Sequence, residues 1–312
     1  WEPLPALKAD TTNITCKNGY IHVMHDVLLP ERNMSQIIAE NGQTGLFNKL
    51  LNKFSAPYYD PFQNFTVHNL YTGLDGIHKL ISDSIFVKRY FTETNRVDPT
   101  GTDMTDYGLL YYDPSNNSYM SSQDMGVMFA PTDKAMEAYI NSNKGRYLKD
   151  AYGSWENIPS PLLALFIKNH QKKSFMSSLP STWNNMNDES SFKMAISTSD
   201  VVKAYVAGNG VVYVTNNVYP PIDYQCVYGP VLTSKDTKIM NAAIQNTTNK
   251  FSLYLRSMEN MYNLLVPTDD ALQNYRDPLS WAKGVSQREI WAFHYDGTQS
   301  KPYSVDIYNV DE

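Results

Sequence analysis

Cysteine, basic charge and long apolar runs are all scarce in this sequence of 312 residues, and each scarcity excludes a class of protein. Only Cys16 and Cys226 are present, too few for the disulfide framework of a small secreted domain. Two isolated cysteines are typical of buried thiols, and one long-range bridge between them is the alternative. The formal net charge is −6 and no cluster of Lys and Arg occurs, so we expect no nucleic-acid partner.

Membrane-spanning and targeting patterns are missing as well. No apolar run approaches the roughly 18 residues that a membrane span needs, so we predict no transmembrane segment. The opening stretch WEPLPALKAD has neither the basic start nor the apolar core of a secretory leader, as in a mature or truncated chain. The sequence is 42% hydrophobic and 19% charged, which is typical of globular domains, and its length suits about two of them.

The patterns of catalysis and metal binding are also absent. The sequence contains no G-x-S-x-G, P-loop, H-E-x-x-H or G-x-G-x-x-G pattern. His22 and His25 stand three apart, but in a predicted strand, where such residues face opposite sides. The acidic stretch 98–106 lacks the closing Glu of a calcium loop. We therefore expect a protein that is not an enzyme and has no cofactor and no metal site.

Two Pro-Thr-Asp stretches stand out among what is present: VMFAPTDKAM at 127–136 and NLLVPTDDAL at 263–272. Each apolar run predicts a buried strand that ends at its proline. Each threonine is placed to cap a following helix, whose first turn then holds the aspartate. Both stretches thus predict strand, tight turn and helix. Their identical order indicates a repeated domain.

A second pair of similar stretches is NGYIHVMHDVLLP at 18–30 and NGVVYVTNNVYPP at 209–221. Each begins at an Asn-Gly turn signal, continues with β-branched residues and ends at proline. These predict closing strands that leave a hairpin and run along the edge of a sheet.

A third pair consists of 33–51 and 237–255, at an offset of about 205 residues. Apolar residues at helical spacing predict helices in 33–51, with Asn33 as N-cap and Gln36 three residues on. Gly42 and Gly45 are expected to divide this stretch into two helices.

The order of these elements predicts three segments: closing strands of a partial domain at 1–30, a complete domain at 31–221 and the opening part of a further domain at 222–312. The Pro-Thr-Asp offset is 136 residues, about 69 less than the helix offset, which places an insertion near 54–124. The insertion is rich in tyrosines that either pack its own small core or present aromatic faces to a sugar or protein. The candidate surface consists of Tyr58, Tyr59, Tyr107, Tyr111, Tyr112 and Tyr119.

The Pro-Thr-Asp stretches and the Asn-Gly strands resemble the two motifs of the fasciclin-like (FAS1) domain family. Where that family carries a Tyr-His pair, this sequence has Asn169-His170, after an apolar helix, and we expect His170 to cap or pack against a neighbour. The resemblance implies an α+β fold, in which a wedge or sandwich of mostly antiparallel strands packs with several short helices, in tandem copies. Gly42, Gly45, Pro159 and Pro161 limit helix length.

The resemblance implies a non-enzymatic adhesion or binding protein at the cell surface, whose partners are other surface proteins or glycans. Few cysteines, no basic patch and abundant Tyr and Asn favour a bacterial outer-membrane lipoprotein, anchored through a lipid-modified cysteine upstream of Trp1. By analogy such a protein accompanies an outer-membrane nutrient importer. The alternative is a carbohydrate- or peptide-binding accessory protein that uses the tyrosine-rich insertion as its receptor.

Overall fold

A computed structural model describes two compact units that combine helices with small sheets. Unit 1 comprises Trp1–Lys134, His170–Met186 and Ala195–Asn217, and unit 2 comprises Ala135–Asn169, Asn187–Met194 and Val218–Glu312. The mixture of helices and strands confirms the predicted α+β class. The residues described are 14–23, 32–59, 86–90, 126–172, 174–188, 191–246, 248, 250–296 and 303–310.

The strands are short and the helices run for three turns at most. The strands are β1 (Ile14–Cys16), β2 (Gly19–Ile21), β3 (Ser55–Tyr59), β4 (Phe86–Tyr90), β5 (Gly126–Pro131), β6 (Gln171–Lys172), β7 (Val201–Ala207), β8 (Gly210–Thr215), β9 (Tyr275–Arg276), β10 (Glu289–Tyr295) and β11 (Tyr303–Asn309). The α-helices are α1 (Met34–Glu40), α2 (Gly45–Asn52), α3 (Asp133–Asn141), α4 (Arg146–Tyr152), α5 (Ser160–His170), α6 (Ile222–Gln225), α7 (Gly229–Thr233), α8 (Lys238–Gln245), α9 (Phe251–Arg256) and α10 (Pro278–Trp281). The longest described helix has 11 residues, which confirms the predicted short helices.

The main sheet of unit 1 has four strands in the order β6-β5-β8-β7. β5 and β8 are parallel, whereas the other two pairs are antiparallel. The prediction that the Asn-Gly strand runs along an edge is wrong for β8, which is interior and buried along its whole length. Its continuous apolar run is typical of a strand covered on both faces.

β5 is the centre of the unit 1 core. All six of its residues are buried, with Val127, Met128 and Phe129 fully so. The ring of Phe129 lies 5.4 Å from that of Tyr213 and 5.7 Å from that of Trp183, between centroids. Rings at such distances add to the stability gained by burying their area.

The two helices predicted in 33–51 are confirmed as α1 and α2. Asn33 caps α1 in a capping box with Gln36, as predicted. The chain leaves helical geometry between Glu40 and Gly45, the region where glycines were expected to end the first helix. His170, the last residue of α5, is fully buried with its ring 5.8 Å from that of Phe47, so the expected packing is confirmed.

Unit 2 is built on a helical core. Its buried centre consists of Cys226, Tyr228, Val231, Ile244 and Leu255. Tyr262, Leu264 and Val266 are partly buried against this cluster. Both cysteines are free, and Cys16 is exposed rather than buried, so the buried-thiol interpretation holds for Cys226 alone.

The second Pro-Thr-Asp stretch differs from the prediction. Residues 261–268 are extended but belong to no strand, and a 3-10 helix at Ala271–Asn274 takes the place of the predicted α-helix. The reason is that a strand needs a partner, and none of the described strands pairs with this stretch. Thr268 does act as predicted, because its hydroxyl accepts from the Ala271 N–H at 3.3 Å.

Both Pro-Thr-Asp aspartates cap another helix rather than their own. The Asp133 carboxylate accepts from the Leu46 N–H at the start of α2 (2.7 Å), and its own N–H donates to Gln43 (2.8 Å). In unit 2 the Asp269 carboxylate accepts from the Ile239 N–H at the start of α8 (2.9 Å), and its N–H donates to Asp236 (2.7 Å). The predicted first-turn dipole role therefore omits their main contacts.

These contacts correct the predicted helix offset. The Thr44 hydroxyl donates to the Ile38 carbonyl, and the Thr237 hydroxyl donates in the same way to the carbonyl of Val231, six residues earlier in both cases. Thr44 therefore corresponds to Thr237, at an offset of 193 residues rather than about 205. Against the Pro-Thr-Asp offset of 136, the extra length of the first copy is 57 residues rather than about 69.

Candidate functional site

The predicted tyrosine surface lies mostly outside the described residues. Tyr107, Tyr111, Tyr112 and Tyr119 all fall there. The backbones of Tyr58 and Tyr59 lie in β3, which pairs antiparallel with β4 at the base of the insertion. The segment 78–91 was open to strand or helix, and residues 86–90 form a strand. The tyrosine surface itself stays a prediction.

The described part of the chain brings together a different set of aromatic residues, on the three-stranded sheet β11-β10-β9 of unit 2. Alternation along β10 places Trp291 and Phe293 on one side of this sheet. The register sets Tyr275 opposite Trp291, and Tyr303 opposite Tyr295, so all lie on that side. We call Tyr275, Trp291, Phe293 and Tyr303 the aromatic face.

The rings of the aromatic face contact one another as a continuous set. Phe293 is central, with its centroid 6.0 Å from Tyr275, 6.2 Å from Trp291 and 6.1 Å from Tyr303. The interplanar angles lie between 49° and 73°, so the rings meet edge to face. This packing is favourable for aromatic quadrupoles and holds each ring in one orientation.

The aromatic face is partly open to solvent. Tyr275 is 38% exposed, while Trp291, Phe293 and Tyr303 are partly buried. Ile307, which pairs with Trp291 on the same side, is 56% exposed. Large aromatic and aliphatic groups held half in solvent on a rigid sheet are typical of a binding surface.

Hydrogen bonds and cations fix the surroundings of this sheet. The Trp291 indole N–H donates to the Glu289 carboxylate (3.0 Å), and the Lys238 ammonium lies 5.6 Å from the centre of the Tyr295 ring. Trp281 lies between two guanidinium groups, 5.0 Å from Arg276 and 4.9 Å from Arg288. Cations against aromatic rings stabilise both partners, so these side chains hold defined positions.

The chemistry available here is recognition. Tilted rings do not make one flat platform for a sugar, but rigid Trp, Tyr and Arg side chains are the groups that dominate protein–protein binding energy. In the part of the chain that the structure describes, no three His, Cys, Asp or Glu residues are grouped so that they could hold a metal ion. Within the same residues, no helix is long and apolar enough to cross a membrane.

The strongly shifted titratable groups belong to the buried interior of unit 2. Burial raises the pKa of Tyr139, Tyr147 and Tyr224 well above the usual value for tyrosine, and that of Tyr228 to about 12. Tyr147 donates to the Tyr224 carbonyl at 2.6 Å. These hydroxyls are neutral hydrogen-bonding groups of the core at physiological pH, which is a structural role.

Sequence reasoning missed the aromatic face, although a signal was present. EIWAFHY at 289–295 and YSVDIYN at 303–309 alternate aromatic or aliphatic residues with others, the period of a half-buried strand. The insertion drew attention because its tyrosines are more numerous. Number alone does not place side chains on a common surface.

Comparisons with known proteins do not assign a family. No protein-family model matches this chain, and no curated protein matches it.

Proposed function

We propose that this chain is a non-enzymatic binding and adhesion protein that holds a protein partner against the aromatic face of unit 2. The observation that carries the proposal is the contact of Phe293 with Tyr275, Trp291 and Tyr303 on one side of a sheet. A partner that covers these rings buries large apolar area without ordering flexible side chains, because neighbouring rings already fix one another.

The polar groups around the sheet suit a protein better than a glycan. Tyr275 and Tyr303 carry hydroxyls that exchange hydrogen bonds with a partner backbone, and Lys238 offers a cation beside Tyr295. Edge-to-face rings match the uneven surface of a protein, whereas a pyranose stacks best on one flat ring. The proposal is thus adhesion through protein contacts.

The proposal includes a fasciclin-like plan that is used twice in the chain. Its support is the pair of matched capping contacts, Asp133 to Leu46 and Asp269 to Ile239, and the matched threonine bonds six residues back. An equivalent set of long-range contacts at a constant offset is stronger support than either sequence motif alone.

The proposed setting is the bacterial cell surface, as an outer-membrane lipoprotein that accompanies a nutrient importer. Its support remains compositional: few cysteines, no basic cluster and many Tyr and Asn residues. The alternative function is a carbohydrate- or peptide-binding accessory that uses the insertion. Its support is the β3–β4 pair, which gives the insertion an ordered base with Phe86 57% exposed.

Attachment of beads coated with the full chain to Gram-negative cells tests the proposal. Tyr275→Ala and Trp291→Ala are each expected to reduce attachment at least 10-fold, since truncating a central aromatic anchor costs about 2 kcal/mol or more. Tyr254→Ala is the matched control, because Tyr254 is an exposed aromatic residue on α9 of the same unit. Thermal melts verify that all three variants fold.

Two outcomes contradict the proposal. Unchanged attachment of folded Tyr275→Ala and Trp291→Ala variants removes the aromatic face as the binding surface. Binding of a defined glycan on an array, retained in those variants and lost in Tyr58→Ala or Tyr59→Ala, transfers the function to the insertion and supports the alternative.

A further inference from the structure

The second Pro-Thr-Asp stretch contains an extended segment with an open backbone edge. Among the residues that the structure describes, none forms a hydrogen bond with the backbone of Met261–Val266. Tyr262, Leu264 and Val266 pack against the helical core of unit 2, whereas Met261 is fully exposed and Leu265 is 91% exposed. The segment therefore alternates like a strand but lacks a strand beside it.

The corresponding strand of unit 1 shows what such a segment does when it is complete. β5 pairs with β8 in parallel, with Gly126 opposite Gly210 and Phe129 opposite Tyr213. At the offset of 136 residues, Phe129 corresponds to Leu265. Phe129 is fully buried under Trp183 and Tyr213, so the exposed position in unit 2 is one that the complete arrangement covers.

The chain carries a second copy of the strand that does the covering. β1 and β2 form a hairpin in which Cys16 faces Gly19 across a two-residue turn, as Ala207 faces Gly210 in the β7–β8 hairpin. NGYIHV at 18–23 matches NGVVYV at 209–214. Every residue of β1 and β2 is exposed, with Tyr20 at 67% and Ile21 at 52%, whereas β8 is wholly buried.

We propose that β2 of one copy of this chain pairs in parallel with Met261–Val266 of a second copy. The β5–β8 register transposes directly: Gly19 faces Tyr262, Ile21 faces Leu264 and His22 faces Leu265. Ile21 then takes the position of Val212, which is fully buried in unit 1. Each new backbone hydrogen bond joins groups that otherwise meet only water.

The occupant is a second copy because one chain contains both halves of the pair, as a donor hairpin and an acceptor edge. Donor and acceptor are different surfaces, so the contact is heterologous. Such contacts propagate into linear assemblies or close into rings, and do not stop at a symmetric dimer. The aromatic face takes no part, so this proposal is independent of the proposed function.

Sedimentation velocity of the full chain between about 1 and 200 µM measures the assembly, because a contact of this size has micromolar affinity or weaker. The mean mass is expected to rise with concentration. Leu265→Asp blocks the acceptor and Ile21→Asp blocks the donor, since each places a carboxylate where unit 1 has a buried residue. Both positions are exposed in the single copy, so both variants are expected to fold.

Mixing the two blocked variants gives the decisive result. Each variant alone is expected to stay a monomer, while the mixture forms a dimer and nothing larger, because one intact donor and one intact acceptor remain. Val206→Asp is the control, since Val206 is an exposed apolar residue on β7, and it is expected to assemble like the unchanged chain.

A disulfide tests the register. In a Cys16→Ser background, His22→Cys and Leu265→Cys are expected to cross-link between copies, because facing residues on paired strands lie within disulfide range. Tyr20→Cys with Leu265→Cys is two residues out of register and is expected to cross-link at least 10-fold less. A single monomeric mass throughout the concentration range overturns the proposal. So does a mixture of blocked variants that fails to dimerise, which leaves the edge to another occupant.

Discussion

β5 and the segment Met261–Pro267 contain the same motif, yet one is a buried central strand and the other a half-exposed extended segment. β5 lies between β6 and β8 and has no exposed residue, whereas Leu265 of the second segment is almost fully exposed. The helix-side contacts are the same in both, including the aspartate caps. Local sequence therefore sets the turn and the cap, while strand character depends on a neighbour far away in the chain.

Burial at Phe129 and exposure at Leu265 predict the largest difference between the two regions. Phe129→Ala removes a fully buried ring and leaves a cavity beside Trp183, so we expect the free energy of unfolding to fall by about 3–5 kcal/mol. Leu265→Ala removes an exposed side chain and is expected to change it by about 0.5 kcal/mol or less.

Urea denaturation below 1 µM protein measures both variants as separate copies. Equal losses for the two variants would contradict the assignment of Phe129 and Leu265 to opposite environments.

Alkaline pH is expected to separate the two units. In unit 2, burial raises the pKa of Tyr139, Tyr147 and Tyr224, so these residues stay neutral in the fold at a pH where the unfolded chain ionises. The folded state then binds more protons, and stability, constant below pH 10, falls as pH rises. The loss is about 1.4 kcal/mol per pH unit for each tyrosine, or about 3–4 kcal/mol at pH 11.

Hydrogen exchange at pH 7 and after transfer to pH 11 follows each unit separately. Tyr213 is the described tyrosine of unit 1 whose pKa burial raises, so unit 1 is expected to lose less. Tyr147→Phe is the control, because it removes one ionisable group and flattens the slope for unit 2 by about a third. A slope that this variant leaves unchanged would disprove the role of the buried hydroxyls.

Gly210 and Gly19 give a matched pair at the start of equivalent strands. A Cβ on Gly210 would lie 2.3 Å from the Gly126 carbonyl oxygen and 2.7 Å from the Met34 sulfur, at a φ of +156°. Gly210→Ala is therefore expected to destabilise the fold by about 2–4 kcal/mol. A Cβ on Gly19 meets nothing within 4 Å, so Gly19→Ala is expected to be neutral within about 0.5 kcal/mol.

Thermal unfolding of both alanine variants checks this difference. A neutral Gly210→Ala would show that β8 can move away from β5.

How far the sequence predicts the fold depends on the range of the interactions involved. The capping box at Asn33 and the two helices of 33–51 were predictable because capping and helical spacing are local. The interior position of β8 and the open edge at Leu265 were not, because both depend on pairing between residues tens or hundreds of positions apart.

The candidate site shows the same limit. EIWAFHY at 289–295 predicts a half-buried strand by its alternation. Nothing in that pattern reveals that Tyr275, from a two-residue strand, joins Trp291 on the same side of the sheet. Helix spacing likewise suggested the wrong repeat offset, which the Thr44 and Thr237 hydrogen bonds correct.

The aspartate caps are the feature that the two regions share, so their loss is expected to have similar effects. Asp133→Ala leaves the Leu46 N–H without an acceptor, and Asp269→Ala does the same to Ile239. Each substitution is expected to cost about 1–2 kcal/mol, the usual value of a helix N-cap. Hydrogen exchange of the first turns of α2 and α8 locates each loss.

The asparagine variants sharpen this comparison, because the two carboxylates are used differently. Asp133 accepts from Leu46 through one oxygen, and Asp133→Asn keeps an amide oxygen for that bond. Asp269 accepts from Lys238 at 3.1 Å and from Ile239 at 2.9 Å through different oxygens, and an amide replaces one acceptor with a donor. Asp133→Asn is therefore expected to restore most of the stability lost in Asp133→Ala, and Asp269→Asn about half. Full rescue at both positions would mean that Asp269, like Asp133, relies on a single bond, and the two caps would then be equivalent in strength as well as in place.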